Sequence, residues 1–272
     1  MNDILSQFEI SHVRSDGRYM ARCPAHEDNT PSLEIWIRPD KTLIKCFAGC
    51  KIDDILRRAG LRMRDLYPNS STGRKDEKSE IYRYRYEDGS IAYESIRLTS
   101  SEGSKRFVQR QPDPKGNGWT YSLDGRRRVL YQLPALLKRI KDKDYRPVFI
   151  VEGEKKVESL LELGFPATCG VGGCNADWLD SYSQTLSGCE VCLCPDNDEP
   201  GYRFMMRVFG SLAYWDTVGI RWWDCPIQEK GADIYDFINS FGPTERDRLV
   251  AGAELLKQVS KLPVWRCNRD QG

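Results

Sequence analysis

No stretch of the 272 residues is long and apolar enough to form a membrane-spanning helix, and no membrane partner is expected. The opening run MNDILSQFEISHVRSDGRYMARC lacks the basic-then-apolar layout of a secretory signal, so a cytoplasmic location with reduced thiols is the expectation. There is no internal repeat and no low-complexity tract. The G-x-x-x-x-G-K-[ST] phosphate loop is missing, which argues against P-loop ATP hydrolysis. Histidine is scarce, with only His12 and His26. Net charge is only +1, so no overall excess of one sign dictates a partner.

What is present is a soluble, globular composition: 40% apolar and 30% charged residues, enough for one large domain or two modest ones. The balance of charge is local. Between Ile81 and Pro147 there are 15 Lys or Arg against 8 Asp or Glu, a bias that suits a polyanionic partner or a solvated basic surface. Ten cysteines in a chain expected to keep its thiols reduced point to metal binding before disulfides.

Patterning divides the chain. KIDDILRRAG predicts a short helix with Ile52, Ile55, Leu56 and Ala59 on one face and Gly60 at its end. PNSSTGRKDEKS, residues 68–79, has Pro, Gly and Ser without apolar periodicity and predicts a flexible linker. IYRYRYEDGSIAYESIRL alternates around Asp88-Gly89 and predicts a β-hairpin. From Pro147 onward short apolar strands (VFIVEG, PATC, EVCLCPD, TVGIRWW) alternate with amphipathic helices (EKKVESLLELG, ADWLDSYSQTL, GYRFMMRVFGSLA, DIYDFINSF). That alternation predicts an α/β fold with an open, mostly parallel sheet.

CPAH and CFAGC supply Cys23, His26, Cys46 and Cys50, each pair at the end of a strand-like stretch. Two pairs at knuckle spacing are what a tetrahedral ion needs, and three thiolates with one imidazole favour Zn²⁺ in a structural role. His12 has no partner at ligand spacing. Cys189 and Cys192 form C-x-x-C, but within a strand they point to opposite faces while Cys192 and Cys194 share one, so these read as core residues.

Glu152 closes one predicted strand, and Asp196 and Asp198 close another. In a parallel sheet the carboxyl ends of neighbouring strands lie side by side, so distant acids can converge there. Converging carboxylates repel unless a cation holds them, and hard oxygen ligands suit Mg²⁺ or Mn²⁺. A D-x-D after a strand is weak by itself, since a solvated loop reads the same way; its pairing with VEGEKK and the glycine turn GVGG strengthens it.

Strand-Glu-Gly, a glycine turn, then strand-Asp-x-Asp resembles the Toprim domain shared by DnaG-type primases, topoisomerases and some nucleases. With CPAH…CFAGC upstream, the layout over most of residues 18–240 resembles a DnaG-type DNA primase. The stretches GRRRVLYQLPALL…RPVFIVEGEKKVESLLELGFPATC and LCPDNDEPGYRF are similar to Toprim proteins of phages and integrated elements. The resemblance implies a zinc ribbon at 1–66, a linker at 67–80, a basic subdomain at 81–146, a Toprim-type catalytic domain at 147–242, and a C-terminal helix and tail at 243–272. It implies RNA primer synthesis from NTPs on single-stranded DNA. Glu152 would act in acid–base or metal chemistry, Asp196 and Asp198 would bind the divalent ion, and Asp233 (less surely Asp236) would complete the site.

Arg126, Arg127 and Arg128 are the leading phosphate contacts in the basic region, and Lys230 beside Gly231 is a further one, although a solvated lysine reads the same way. Trp119, Tyr121, Tyr82 and Tyr84 can stack on bases, while packing is the commoner fate of such residues. No helicase-like region follows residue 242, which implies a separate replicative helicase or a longer protein. One departure stands out: relatives often carry an aspartate four residues after the glutamate, where this chain has Lys156, with Glu154 and Glu158 as possible compensation. Two other readings therefore stand beside the primase: a nucleic-acid-binding replication factor whose Toprim site has decayed, and a Toprim nuclease or topoisomerase, for which a strand-passage gate has little room.

Overall fold

The computed structural model describes residues 4–38, 41–67, 78–114, 116, 118–215 and 217–266. Most of the expected linker, residues 68–77, and Cys267 lie outside the described residues. The fold is mixed α/β, with a small antiparallel sheet carrying the Cys/His cluster and a parallel sheet flanked by helices. Two compact units form, residues 1–78 with 100–103, and residues 79–99 with 104–272.

The first unit is a four-stranded antiparallel sheet, β1 (Ile10–Val13), β2 (Tyr19–Ala21), β3 (Leu33–Ile37) and β4 (Thr42–Cys46), in that order. Helix α1 (Ile52–Arg58) follows, and Gly60 at φ +70° ends it as the pattern predicts. Its core is small: Leu33 and Ile35 from β3, Ala21 from β2, Ile55 and Ala59 around α1, Ile4 and Phe8, and the sulfurs of Cys23 and Cys46.

The second unit opens with β5 (Lys78–Arg85), β6 (Ile91–Thr99), β7 (Lys105–Pro112) and β8 (Trp119–Thr120), adjacent in that order. Gly89 at φ +84° makes the β5–β6 turn. Helix α2 (Leu133–Lys141) leads into the parallel sheet of β9 (Val148–Ile150), β10 (Ala167–Thr168), β11 (Glu190–Leu193) and β12 (Gly219–Trp222). The sheet order is β10-β9-β11-β12 and every pair is parallel. Its helices are α3 (Glu154–Glu162), α4 (Asp180–Thr185), α5 (Glu199–Tyr214), α6 (Ile234–Asn239) and α7 (Glu245–Lys261).

Two apolar layers cover this sheet. Val148, Ile150, Val191 and Leu193 pack with Phe204, Met205, Val208 and Leu212 of α5. Phe149, Val151, Cys192 and Cys194 pack with Val157, Leu160, Phe237 and Leu255. Alternation along the strands thus sends Cys192 and Cys194 into one layer, while Cys189 lies against the other. All four parallel strands and α4 are shorter than their patterns: β10 has only Ala167–Thr168, and α4 starts at Asp180 rather than at Ala176. Just past β10 the backbone passes against the Tyr182 ring, 3.0 Å from any Cβ at Gly170.

Candidate active site

Register brings the acids together. Leu193 of β11 pairs with Ile150 of β9, and the Cys194 amide donates to the Ile150 carbonyl at 3.0 Å. Glu152 is two residues beyond Ile150 and Asp196 three beyond Leu193, so both leave the same edge of the sheet. The Asp196 amide donates to Glu152 Oε1 at 3.2 Å, and Glu152 is only 8% exposed.

The D-x-D loop is then fastened to the loop before α6. The middle residue, Asn197, donates through Nδ2 to the carbonyls of Ile227 and Glu229 at 3.0 and 3.2 Å. Its amide donates to Ala232 O at 2.8 Å, and its carbonyl accepts from Gly231 N at 2.9 Å. This strap delivers Asp233 to the cluster and sets Gly231 beside Asp198, with any Cβ there 3.9 Å from Oδ2.

Asp198 and Asp233 both begin helices. Asp198 Oδ1 accepts from Gly201 N at 2.8 Å at the start of α5. Asp233 Oδ1 accepts from Tyr235 N and Asp236 N at 2.7 and 3.1 Å, and Asp236 returns the bond by accepting from Asp233 N, a capping box on α6. Asp236 is therefore engaged in capping.

Lys156, in the first turn of α3, aims its ammonium between Asp196 and Asp233. It pairs with Asp196 Oδ1 and, at 2.9 Å, with Asp233 Oδ2. Burial works against the Lys156 ammonium, but Asp196 and Asp233 outweigh it and the net shift is upward, so the lysine stays charged. Burial, with Glu152 nearby, pushes the Asp196 carboxyl up, against the pull of Lys156. Glu154 and Glu158 do not make up for the lysine. Glu154 accepts from the buried Tyr84 hydroxyl at 2.9 Å, and Glu158 accepts from Tyr131 and from Gln132 at 3.3 Å.

This donor set does not bring three ligand atoms within 4.8 Å of one another, so a hard divalent ion facing Glu152, Asp196 and Asp198 would take one or two of their carboxylates, with nucleotide phosphates and water completing its shell. It does not fit a second ion between Asp196 and Asp233, where the ammonium already sits.

In the first unit, Cys23, His26, Cys46 and Cys50 present ligand atoms all within 4.8 Å of one another, the one such group of three or more among the described residues. His26 Nδ1 is 3.3 Å from Cys50 Sγ and 4.0 Å from Cys46 Sγ. A tetrahedron with bonds of about 2.3 Å to sulfur and 2.0 Å to nitrogen has S–N edges of about 3.5 Å, so the cluster fits zinc. Burial pushes the Cys23 thiol up to about 12. Burial also raises Cys46, but the amides of Cys50 and Ala48 and the Ser32 hydroxyl bring it down to about 7.

Behind the imidazole, Asp28 Oδ1 lies 3.6 Å from His26 Nε2. Asp28 Oδ2 accepts from Cys23 N at 2.7 Å and from Ser32 Oγ at 2.8 Å, so Asp28 orients two ligands at once. Neither Asp28 nor Asn197 stands out in the sequence, because each belongs to the site only through what it holds in place.

The basic and aromatic candidates divide. Arg126 donates to Gln111 and to Pro112 O at 3.0 Å, and Arg127 forms a bidentate pair with Glu87 at 3.0 and 2.6 Å. Arg128 and Lys230 are exposed. Tyr82 and Tyr84 are buried in the core. Tyr121 is 66% exposed, and Arg110 stacks on the more sheltered Trp119 at 4.3 Å.

No protein-family model matches the sequence, and no curated protein matches it. Among solved structures the chain resembles that of the Aquifex aeolicus primase comprising zinc-binding and RNA polymerase domains. That alignment has a TM-score of 0.50 and 14% identity, covering 97% of this chain and 83% of the other. A structure of the DnaG catalytic core aligns with a TM-score of 0.45 and 19% identity over 74% of this chain and 62% of that one. The first of these likenesses defines the fold: a zinc-ribbon-type unit and an α/β unit in the order seen in a primase.

Proposed function

We propose that this protein is a DnaG-type DNA primase, synthesising short RNA primers from NTPs on single-stranded DNA in the replication of a phage, mobile element or bacterium. The observation that carries the reading is the convergence of Glu152, Asp196 and Asp198 at the carboxyl ends of the neighbouring strands β9 and β11, in a chain that also holds a Cys3His cluster. The Toprim-like motif order and the fold of the Aquifex primase support it.

In this reading Glu152, Asp196 and Asp198 would offer carboxylates to one Mg²⁺ or Mn²⁺, which would neutralise nucleotide phosphates and polarise the phosphoryl group. The 3′-hydroxyl of one nucleotide attacks the α-phosphate of the next and pyrophosphate leaves. Glu152 is the carboxylate available to take the hydroxyl proton, and Lys156 adds a fixed positive charge close to the phosphates. Catalysis is positioning and electrostatics. Template binds to the basic surface, with Arg128 and Lys230 free for phosphates, Arg126 and Arg127 adding positive field, and Trp119 and Tyr121 available for stacking. In the zinc unit Arg18 and Arg38 cover Trp36 at 4.6 and 4.0 Å, a basic-aromatic surface suited to unpaired bases. The protein works in the cytoplasm with a separate replicative helicase.

The test is primer synthesis on a panel of single-stranded template trinucleotides with NTPs and Mg²⁺ or Mn²⁺. Primers form with the wild type, and Asp196→Asn with Asp198→Asn abolishes them while the melting curve persists. Full activity in that double variant refutes the assignment. A wild type that binds single-stranded DNA without making primers establishes the second reading, a decayed site, which the lysine between Asp196 and Asp233 favours.

A further inference from the structure

Three buried side chains, Tyr84, Glu154 and Cys169, meet beside the segment that carries Glu152. Tyr84 comes from β5, is 0% exposed, and stacks on Tyr93 with ring centroids 4.5 Å apart. Its single hydroxyl hydrogen faces two acceptors, Glu154 Oε1 at 2.9 Å and the Gly170 carbonyl oxygen at 3.3 Å, with Cys169 Sγ at 3.7 Å. Burial, with Cys169 and Glu154 beside it, keeps that hydroxyl protonated and therefore a donor.

Both acceptors flank Glu152. Glu154 lies two residues beyond it and opens α3. Gly170 follows β10, whose Thr168 pairs with Ile150 of β9. It begins the glycine turn in which a Cβ at Gly173 would lie 3.6 Å from the Glu152 carbonyl oxygen. Between Glu152 and Glu154 stands Gly153, where a Cβ would find nothing within 4 Å. The junction after Glu152 therefore has no side-chain packing at its glycine, and its place depends on the anchors to either side.

We propose that Tyr84 is a positioning residue for Glu152: its hydroxyl ties the start of α3 to the glycine turn, so that the carboxylate leaving β9 keeps one orientation. The expected effect on rate rests on the primase reading; the tie itself does not. A tyrosine that the sequence offers for base stacking is in this way part of the catalytic frame.

The experiment compares Tyr84→Phe with Tyr93→Phe in the full, zinc-loaded chain. Each keeps its ring and loses one buried hydroxyl. That of Tyr93 bonds to the carbonyl and amide of Val129, at 2.8 and 3.1 Å, and to neither flank of Glu152. Two readings are taken: amide hydrogen exchange by mass spectrometry, and primer-synthesis kinetics per folded chain. Tyr84→Phe should speed exchange about tenfold in peptides spanning 153–158 and 170–175. It should lower kcat about 10- to 100-fold while KM for NTP shifts by less than about threefold. Tyr93→Phe lowers Tm comparably and leaves both readings within about threefold of the wild type. Glu154→Ala, which leaves the Gly170 contact in place, gives part of the kcat loss, and adding it to Tyr84→Phe costs no more than Tyr84→Phe alone. A wild-type kcat or wild-type exchange in Tyr84→Phe, or equal losses in Tyr93→Phe, overturns the positioning role and leaves the primase reading standing. A wild type that makes no primers overturns the primase reading, and exchange then decides the tie. If Tyr84→Phe fails to fold, Glu154→Ala carries the same two readings.

Discussion

Gly201 offers a perturbation in which helix propensity and site geometry predict opposite outcomes. It lies in the first turn of α5, and a glycine in a helix is worse than alanine by about 1 kcal/mol. Propensity alone therefore makes Gly201→Ala stabilising. The structure says otherwise. A Cβ at position 201 would lie 2.5 Å from Glu152 Oε1, 2.8 Å from the Asp196 carbonyl oxygen and 3.1 Å from Asp196 Cβ. Ordinary contact begins near 3.5 Å, so the overlap with the carboxylate is about 1 Å. One of the three neighbours is backbone and cannot swing aside. Overpacking of this kind costs about 1–3 kcal/mol, which outweighs the propensity gain and leaves a net loss of about 1 kcal/mol. For a unit of this size that is a fall of roughly 2–4 °C in Tm. The functional effect is larger, because Glu152 is the part that yields, and a shift of about 1 Å in a reacting group costs about 100-fold in rate. Gly210 in the same helix is the control: nothing lies within 4 Å of a Cβ there, so Gly210→Ala should raise Tm and leave primer synthesis unchanged. Thermal melting and initial primer-synthesis rates of both variants decide it. A Gly201→Ala protein that melts above the wild type and primes at the wild-type rate would refute the packing of α5 against Glu152.

The zinc unit has little core of its own, so chelation should remove the circular-dichroism signal and protease resistance of residues 4–67 while residues 79–266 keep theirs. Asp28→Asn should lower zinc affinity by about 10–100-fold in a competition titration, since Asp28 faces His26 and anchors the Cys23 amide; unchanged affinity would remove Asp28 from the site. Arg146 and Arg139 hold the Asp144 carboxyl well below the usual carboxylate range. A carboxylate depressed by folding adds stability above its unfolded pKa, near 4, and loses it as pH falls further. Asp144→Asn should thus be less stable than the wild type at pH 7, with the difference shrinking towards pH 2 in denaturant titrations.

Much of this architecture is legible in the sequence for physical reasons. Period-2 and period-3.6 patterns mark β5, α3 and α5 because each buries one face or one stripe, while β6 buries both faces from Ala92 to Ile96; Gly60, Gly89 and Gly164 mark chain reversals that need positive φ. The Cys/His cluster is legible because ligand spacing is local. Asn197, Gly201 and Asp28 are not, because their roles arise from loops that meet only after folding. The basic excess between Ile81 and Pro147 also reads differently once partners are visible. Arg83 and Arg110 both pair with Glu94, which is 1% exposed, and Arg139 and Arg146 share the half-buried Asp144, so four of those cations are engaged by two acids of the same stretch.

The aspartates of the acidic cluster carry two kinds of work at once, and this shapes how they can be probed. Asp198 caps α5 and Asp233 caps α6, so alanine at either position removes a helix cap worth about 1 kcal/mol along with the charge. Asparagine keeps the cap and removes only the charge. Asp196 caps nothing; its amide and carboxylate instead join Glu152 to Lys156. A loss common to Asp198→Ala and Asp233→Ala would therefore say little about metal chemistry. A loss in Asp198→Asn that Asp233→Asn does not share isolates it, because asparagine keeps both caps and the two residues differ in the lysine that one of them faces.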